Sequence, residues 1–339
     1  MLSGAGTNAG KITVTGQTGN TASSSSYNGS LGFYGQKGTF TNTGSIETSG
    51  KLAHSVVLKQ ASATATPEMT FNHYGTIEVA SPTTDPGNMG VFSDGYARAN
   101  FYNGSKVYVG DNSVGIHTSR IDGFNHTFKN LGTLDIKIGS KSTFAYLDGN
   151  ATTTLKEFFN LGNAKVNIVA PMGTESSLVY ANNQAKAKLD ADYTITQGAA
   201  TSTIALLASN KSEVKLTKTL TTDTQVALAA VNGTGDPSSI PPVLATLGAG
   251  STAINEGTIK LDGNKSTGIA GETGTIENKG IVTVNGEEST GLYGADGSVI
   301  TNDTTGKINV GSKGAGILAQ NDLNGTLKTT GKITVEKSL

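Results

Sequence analysis

The stretch NEGTIKLDGNKSTGIAGETGTIENKGIVTVNGEESTGLYGADGSVITN, Asn255–Asn302, states one phrase twice. Asn, a gap, Gly and an alternating tripeptide (NEGTIKL at 255–261, NKGIVTV at 278–284) lead to Ser, Thr, Gly and a large apolar residue (STGIAG at 266–271, STGLYG at 289–294). An Ile, 276 and then 300, precedes the next Asn. Alternation over four or five residues is the period of a strand with one buried face, and the Gly, Asn and Asp between are turn formers. Three such strands offer too few inward side chains to make a core of their own, so each unit must be covered by the next.

The same phrase can be followed outward along the chain. The Asn element stands at Asn42, Asn72, Asn103, Asn130 and Asn160, and shorter forms begin at Gly306 and Gly331, with a period of about 22 to 32 residues. The second element is SLGFYG at 30–35, SVGIH at 113–117, STFAY at 142–146 and GAGILA at 314–319. Phe40, Phe71, Phe101, Phe128, Phe158, Ile254, Ile276 and Ile300 close the units. This pattern predicts an all-β chain, a right-handed parallel β-helix of about 11 to 12 coils with three short strands each and a few loop insertions. Inward columns of Ile, Val, Leu and Phe form its core. The recurring Asn is expected to bond local backbone or to stack as a ladder, and the Gly after it to supply a positive φ.

The reading treats residues 1–339 as a single domain. Coils with longer lateral loops run over 10–185, plainer coils over 186–232, a Pro and Gly insertion over 233–250, and regular, stalk-like coils over 251–339. Insertions at Ala61–Pro67 and Ser81–Gly87 mark the side on which a repeat protein tends to carry function.

Composition narrows the function. Gly is 45 and Thr 48 of 339 residues, hydrophobic residues are 35% and charged residues 15%, so the chain fits neither a coiled coil nor a charged tail. A net charge of −1 gives no electrostatic footprint for nucleic acid. Cys is absent, which removes disulfides and thiolate chemistry. No apolar run is long enough to span a membrane, so no direct insertion of this segment is expected. The opening MLSGAGTNAG has no basic stretch followed by an apolar one, so it is no signal peptide, and the sequence reads as a segment of a longer chain.

The most chemically varied part is Asp94–His126. Stacking the coils by their repeats sets SDGYARAN (93–100) beside TSRIDGFNHT (118–127). Both arginines of the chain, Arg98 and Arg120, are then placed on one side with Asp94, Tyr96, His117, Asp122, Phe124 and His126. An Arg, Tyr and Asp surface is a common composition for recognising a protein or glycan, and these eight residues are the candidate binding site. The enzymatic rival is a β-helical polysaccharide lyase or hydrolase. It would need aligned carboxylates such as Asp94, Asp122 and Asp148, yet the three loops differ in length. No GxSxG elbow surrounds a Ser, and His54, His73, His117 and His126 fit no metal spacing. The expectation is no catalytic residue, no metal, no cofactor and no enzyme.

The units of 255–302 resemble the passenger regions of type V autotransporter adhesins, in particular the very large fusobacterial outer-membrane autotransporters of the RadD kind. The likeness extends over 251–339 and 10–170 and is thin over 186–250. It implies a passenger displayed on a bacterial cell surface and anchored by a C-terminal β-barrel that this segment lacks. The implied role is attachment to a host cell-surface protein or glycan, or to partner bacteria, with a structural stalk as the alternative.

Overall fold

The computed structural model describes residues 3–16, 29–59, 68–81, 87–94, 97–119, 127–149, 156–160, 166–190, 192–195, 203–222, 226–230, 250–295, 297–320 and 327–335. These residues form 35 strands and no helix. Within each sheet, neighbouring strands are parallel and lie three places apart in the chain. The first unit, Ser3–Asn8, Lys11–Thr15 and Ser30–Gly35, contributes one strand to each of three directions, and every later unit adds one more. A 12-stranded first sheet and an 11-stranded third sheet run unbroken.

The second sheet departs from the expectation of three continuous sheets: it is two six-stranded pieces. The gap lies between Val166–Ile168 and Tyr193–Ile195, each only three residues long. Here the first sheet shifts register between Glu157 and Phe159, and Pro171, which has no N–H to give, follows the strand. The 61–67 and 233–249 insertions, and most of the one at Ser81–Gly87, lie outside the described residues.

Side chains alternate across the first and second sheets. Ile12, Ile46, Ile77, Val107, Ile136 and Ile168 stand in one inward column, and Leu220, Ile259, Val282, Ile308 and Ile333 in its continuation. On the first sheet the inward column reads Phe40, Phe71, Ala99 and, further on, Ala253, Ile276 and Ile300. Three of the closing residues named from sequence therefore move. Phe101 sits in the Asn column beside His73, Phe159 and not Phe158 aligns with Phe128, and Ile254 is the outward neighbour of Glu277. A strand turns over with every single-residue offset, and neither the register shift nor an Ala in an inward slot is visible in a motif count.

The Asn ladder is present at both ends. Asn8 Nδ2 donates to Asn42 Oδ1 at 2.8 Å, and Asn255 donates to Asn278, which donates to Asn302, each at 2.8 Å. In the third unit the slot is held by His73 and not by Asn72, which faces outward and accepts from Asn100 Nδ2 at 2.9 Å. Asn42 Nδ2 donates to His73 Nδ1 at 3.1 Å, while Nε2–H of His73 donates to the Lys106 carbonyl at 3.2 Å. Both ring nitrogens are thus satisfied in one neutral tautomer.

Gly104, after Asn103, takes the expected positive φ; in other units the Gly after the ladder residue serves a different purpose. Gly44, Gly75, Gly257 and Gly280 do not have positive φ, but a Cβ on any of them would fall onto the carbonyl oxygen of the unit before, Gly10, Gly44, Lys218 or Gly257. Close approach of one unit to the next is what demands glycine there. Positive φ is instead taken by residues that open the third-sheet strands, Asn112, Lys141, Glu175, Lys265 and Glu288, each followed by a buried Ser. Ser142 Oγ accepts from Ser113 N–H, and Ser289 Oγ from Ser266 N–H, both at 3.0 Å, so these entries also form ladders.

Candidate functional site: the outward face of the third sheet

The third sheet is apolar on both faces. Ala53–Lys59, Ser177–Asn182 and Ile204–Ala208 are buried at nearly every position, where second-sheet strands alternate. Val56, Val91, Ile116, Ala145, Val179 and Leu206 face the central core. One residue further on, Tyr34, Val57, Phe92, His117, Tyr146, Tyr180 and Leu207 make an outward column in continuous register. Tyr146, Tyr180, Ile204 and Leu207 form a second apolar cluster, separate from the central core. A strand buried on both sides reads as a continuous apolar run, which is how AHSVVL, SLVYA and IALLA read.

His117 belongs to this column. Its ring meets Phe92 edge-on at 5.3 Å and Tyr146 at 4.9 Å, and Nδ1 lies 3.4 Å from Met89 Sδ. Tyr146 and Tyr180 continue the run at 5.1 Å. Their hydroxyls enter a polar chain at the strand ends: Asn182 Nδ2 donates to Tyr146 Oη at 3.0 Å, and Ser209 Oγ joins Tyr180 Oη at 3.0 Å and Asn182 Oδ1 at 2.8 Å. Asn210 Nδ2 bridges Asn182 and Asn183, and Asn183 Nδ2 donates to Asp148 Oδ1 at 2.6 Å. Burial raises the Asp148 pKa above the usual carboxylate range, and the Asn183 bond opposes the shift. Asn183, Gln184, Asn210 and Lys211 all have positive φ, so two successive returns to the first sheet turn on paired left-handed residues without glycine.

The other sequence-selected residues are placed as follows. Asp94 ends the strand Met89–Asp94, in register with Lys59 on one side and Ser119 on the other. Arg98 opens the first-sheet strand Arg98–Phe101 between Thr70 and Thr127, half-buried, its Nε without a partner among the described residues. Asp94 and Arg98 therefore flank one return from the third sheet to the first. His117 is in register with Phe92 on the neighbouring strand, two positions before the Ser119–Asp94 pair. Tyr96, Arg120, Asp122, Phe124 and His126 lie outside the described residues. Of the carboxylates the lyase reading would align, Asp94 has Lys59 and Ser119 as register partners and Asp148 has Asn182, so neither is paired with another acid. Among the described residues no group of three or more His, Asp or Glu could hold a metal ion.

Motif reading quoted Tyr146 within STFAY but did not single out Phe92, Tyr180 or the Asn182–Ser209 chain, because it gave the residues of the second element no direction. Adjacent residues of a strand face opposite ways, and that alone would have assigned the aromatic residue to a second, outer layer. Comparison of the chain with family models, curated proteins and solved structures finds no match.

Proposed function

We propose that the chain is a right-handed parallel β-helix acting as a non-enzymatic adhesive segment on a bacterial surface. The observation that carries the reading is the unbroken pairing of each strand with the third one on, in parallel, over a 12-stranded sheet. Parallel strands of one sheet joined through other strands are overwhelmingly connected right-handedly, and 11 steps of about 4.8 Å give a rod of roughly 53 Å. A rod of stacked units offers a long lateral surface and little concavity, which suits attachment better than turnover. The coil count, the autotransporter lineage and the surface location belong to the same reading and rest on the repeat phrase of 255–302.

Attachment is assigned to the side where the third sheet returns to the first, around Asp94, Arg98 and His117, with Tyr96, Arg120, Asp122, Phe124 and His126 in the connecting sequence. The partner is a host cell-surface protein or glycan, or another bacterium. The test is binding of the labelled chain to a panel of human cells and partner bacteria, beside a variant carrying Asp94→Ala, Arg98→Ala, Arg120→Ala and Asp122→Ala. Binding that the folded variant loses supports the assignment; binding that it keeps moves the contact elsewhere on the rod. Failure of both proteins to bind any cell makes the segment a stalk.

A further inference from the structure

The corner where the first sheet passes to the second carries a feature that neither the core nor the third-sheet face explains. At this corner each unit presents one residue whose N–H bonds to a carbonyl of the unit before: Thr43 to Asn8, Tyr74 to Asn42, Tyr102 to His73 and Leu131 to Phe101. Tyr74 and Tyr102 stack with ring centroids 4.2 Å apart and planes 6° from parallel. Tyr74 is 42% exposed despite the stack, and Leu131, next in line, is 50% exposed.

The fold contains its own control. In five later units the same corner, with the same backbone bond, is built from Thr217, Glu256, Lys279, Asp303 and Thr330. Hydroxyl and charged residues therefore suffice for the architecture, and the aromatic pair, exposed at Tyr74 and half-buried at Tyr102, is surplus to it. Contiguous exposed apolar surface rimmed by polar groups is characteristic of a binding site.

The surroundings define the ligand's chemistry. Beside Tyr74 in its own chain stand Asn72 and Thr76, and beside Tyr102 stand Asn100 and Asn103, neutral amides or hydroxyls; the exposed Lys106, in register with Thr76, has the oppositely charged Asp135 as its register partner on the other side. Asn72 Oδ1 accepts from Asn100 Nδ2 at 2.9 Å and lies 3.5 Å from the Tyr102 hydroxyl, so both amides and this hydroxyl form one polar cluster beside the rings. Rigid rings with amphipathic edges, flanked by planar amides and with the one neighbouring cation in register with a carboxylate, match a molecule with apolar C–H surfaces and many hydroxyls. Backbone bonds already fix every element, so little ordering accompanies binding.

We propose that the Tyr74–Tyr102 corner is a binding site for a neutral oligosaccharide, laid along the rod so that successive sugars meet successive units. Units repeat every ~4.8 Å, close to the length of one sugar ring. The site rests on this corner alone. Cell attachment can fail while sugar is bound, and sugar binding can fail while attachment survives, so the two assignments are tested apart.

The experiment screens the intact chain against an array of neutral oligosaccharides, then follows the best binder by saturation-transfer difference NMR at about 0.05 and 0.3 M salt. Irradiating protein aromatic protons is expected to transfer magnetisation to sugar ring protons, with affinity changing less than about twofold between the salts. Tyr74→Thr with Tyr102→Thr, which installs a residue this corner already uses, is expected to weaken binding at least tenfold, on the order of 1.4 kcal/mol, with unchanged circular dichroism. Should that pair not fold, Tyr102→Phe keeps the ring and is expected to weaken binding while leaving thermal unfolding unaltered. The proposal is overturned if no neutral sugar on the array binds, if the folded Thr pair or Tyr102→Phe binds as well as the parent, or if only acidic glycans bind and salt removes them.

Discussion

Two buried histidines set the acid sensitivity of this protein. Burial lowers the pKa of both His54 and His73 to about 4, a loss that the Lys106 carbonyl partly offsets for His73. An unfolded histidine titrates near 6.5. Between pH 6.5 and 4 the unfolded chain therefore binds protons that the folded chain refuses, and stability falls as pH falls. Above pH 6.5 both states are neutral and this contribution is constant. The expected loss across the window is about 3 kcal/mol per histidine, read from urea midpoints at successive pH values. His73→Asn, which restores the residue held elsewhere in the ladder, is expected to remove one of the two contributions and keep stability at pH 7. A parallel acid limb in the variant would refute the assignment. The ladder itself was legible from the Asn spacing, but its third slot was not, because FNHYG offers Asn72 and His73 side by side and only the register chooses between them.

At the scale of strands, the sheets differ in what a truncation costs. Phe92→Ala, on the outward face of the third sheet, is expected to destabilise by about 3–5 kcal/mol, like an inward aromatic. Glu78→Ala, outward on the second sheet and exposed, is expected to fall within about 0.5 kcal/mol of the parent. Denaturant titration of the two variants checks the pair, and equal small effects would mean the third-sheet column is not a second core. Parallel strands, short turns and three strands per unit could all be read from alternation and turn residues. The glycines of the second element were also visible, but their reason was not: at Gly291 a Cβ would fall onto Ile308 Cγ2, a side chain 17 positions away that reaches the site only through the fold. Of the residues proposed for recognition, His117 could be placed by its strand, while Asp94 ends one strand and Arg98 opens the next, a boundary that the motif count did not mark.

For the molecule as a whole, the gap in the second sheet divides the stack of strands. Neighbouring units are otherwise joined through three ladders, but at this junction only the first and third sheets continue. In a stack stabilised by nearest-neighbour contacts, the weakest interface decides where cooperativity breaks. Hydrogen exchange followed by mass spectrometry is expected to find two groups of peptides, 30–148 and 252–335, that open with different free energies as denaturant rises. A single shared opening energy would show that two ladders couple the halves as tightly as three.

Asn255, Asn278 and Asn302 lie 23 and 24 residues apart, yet each meets the next at the same 2.8 Å. Corners absorb the extra residue and the faces never notice it. Removing one whole unit therefore brings together two surfaces already made for each other, as would inserting a copy. As the proposed β-helix, such a molecule is a ruler graduated in steps of about 4.8 Å. Its reach can be reset by duplication or loss of a short tract of gene, with no new interface to invent.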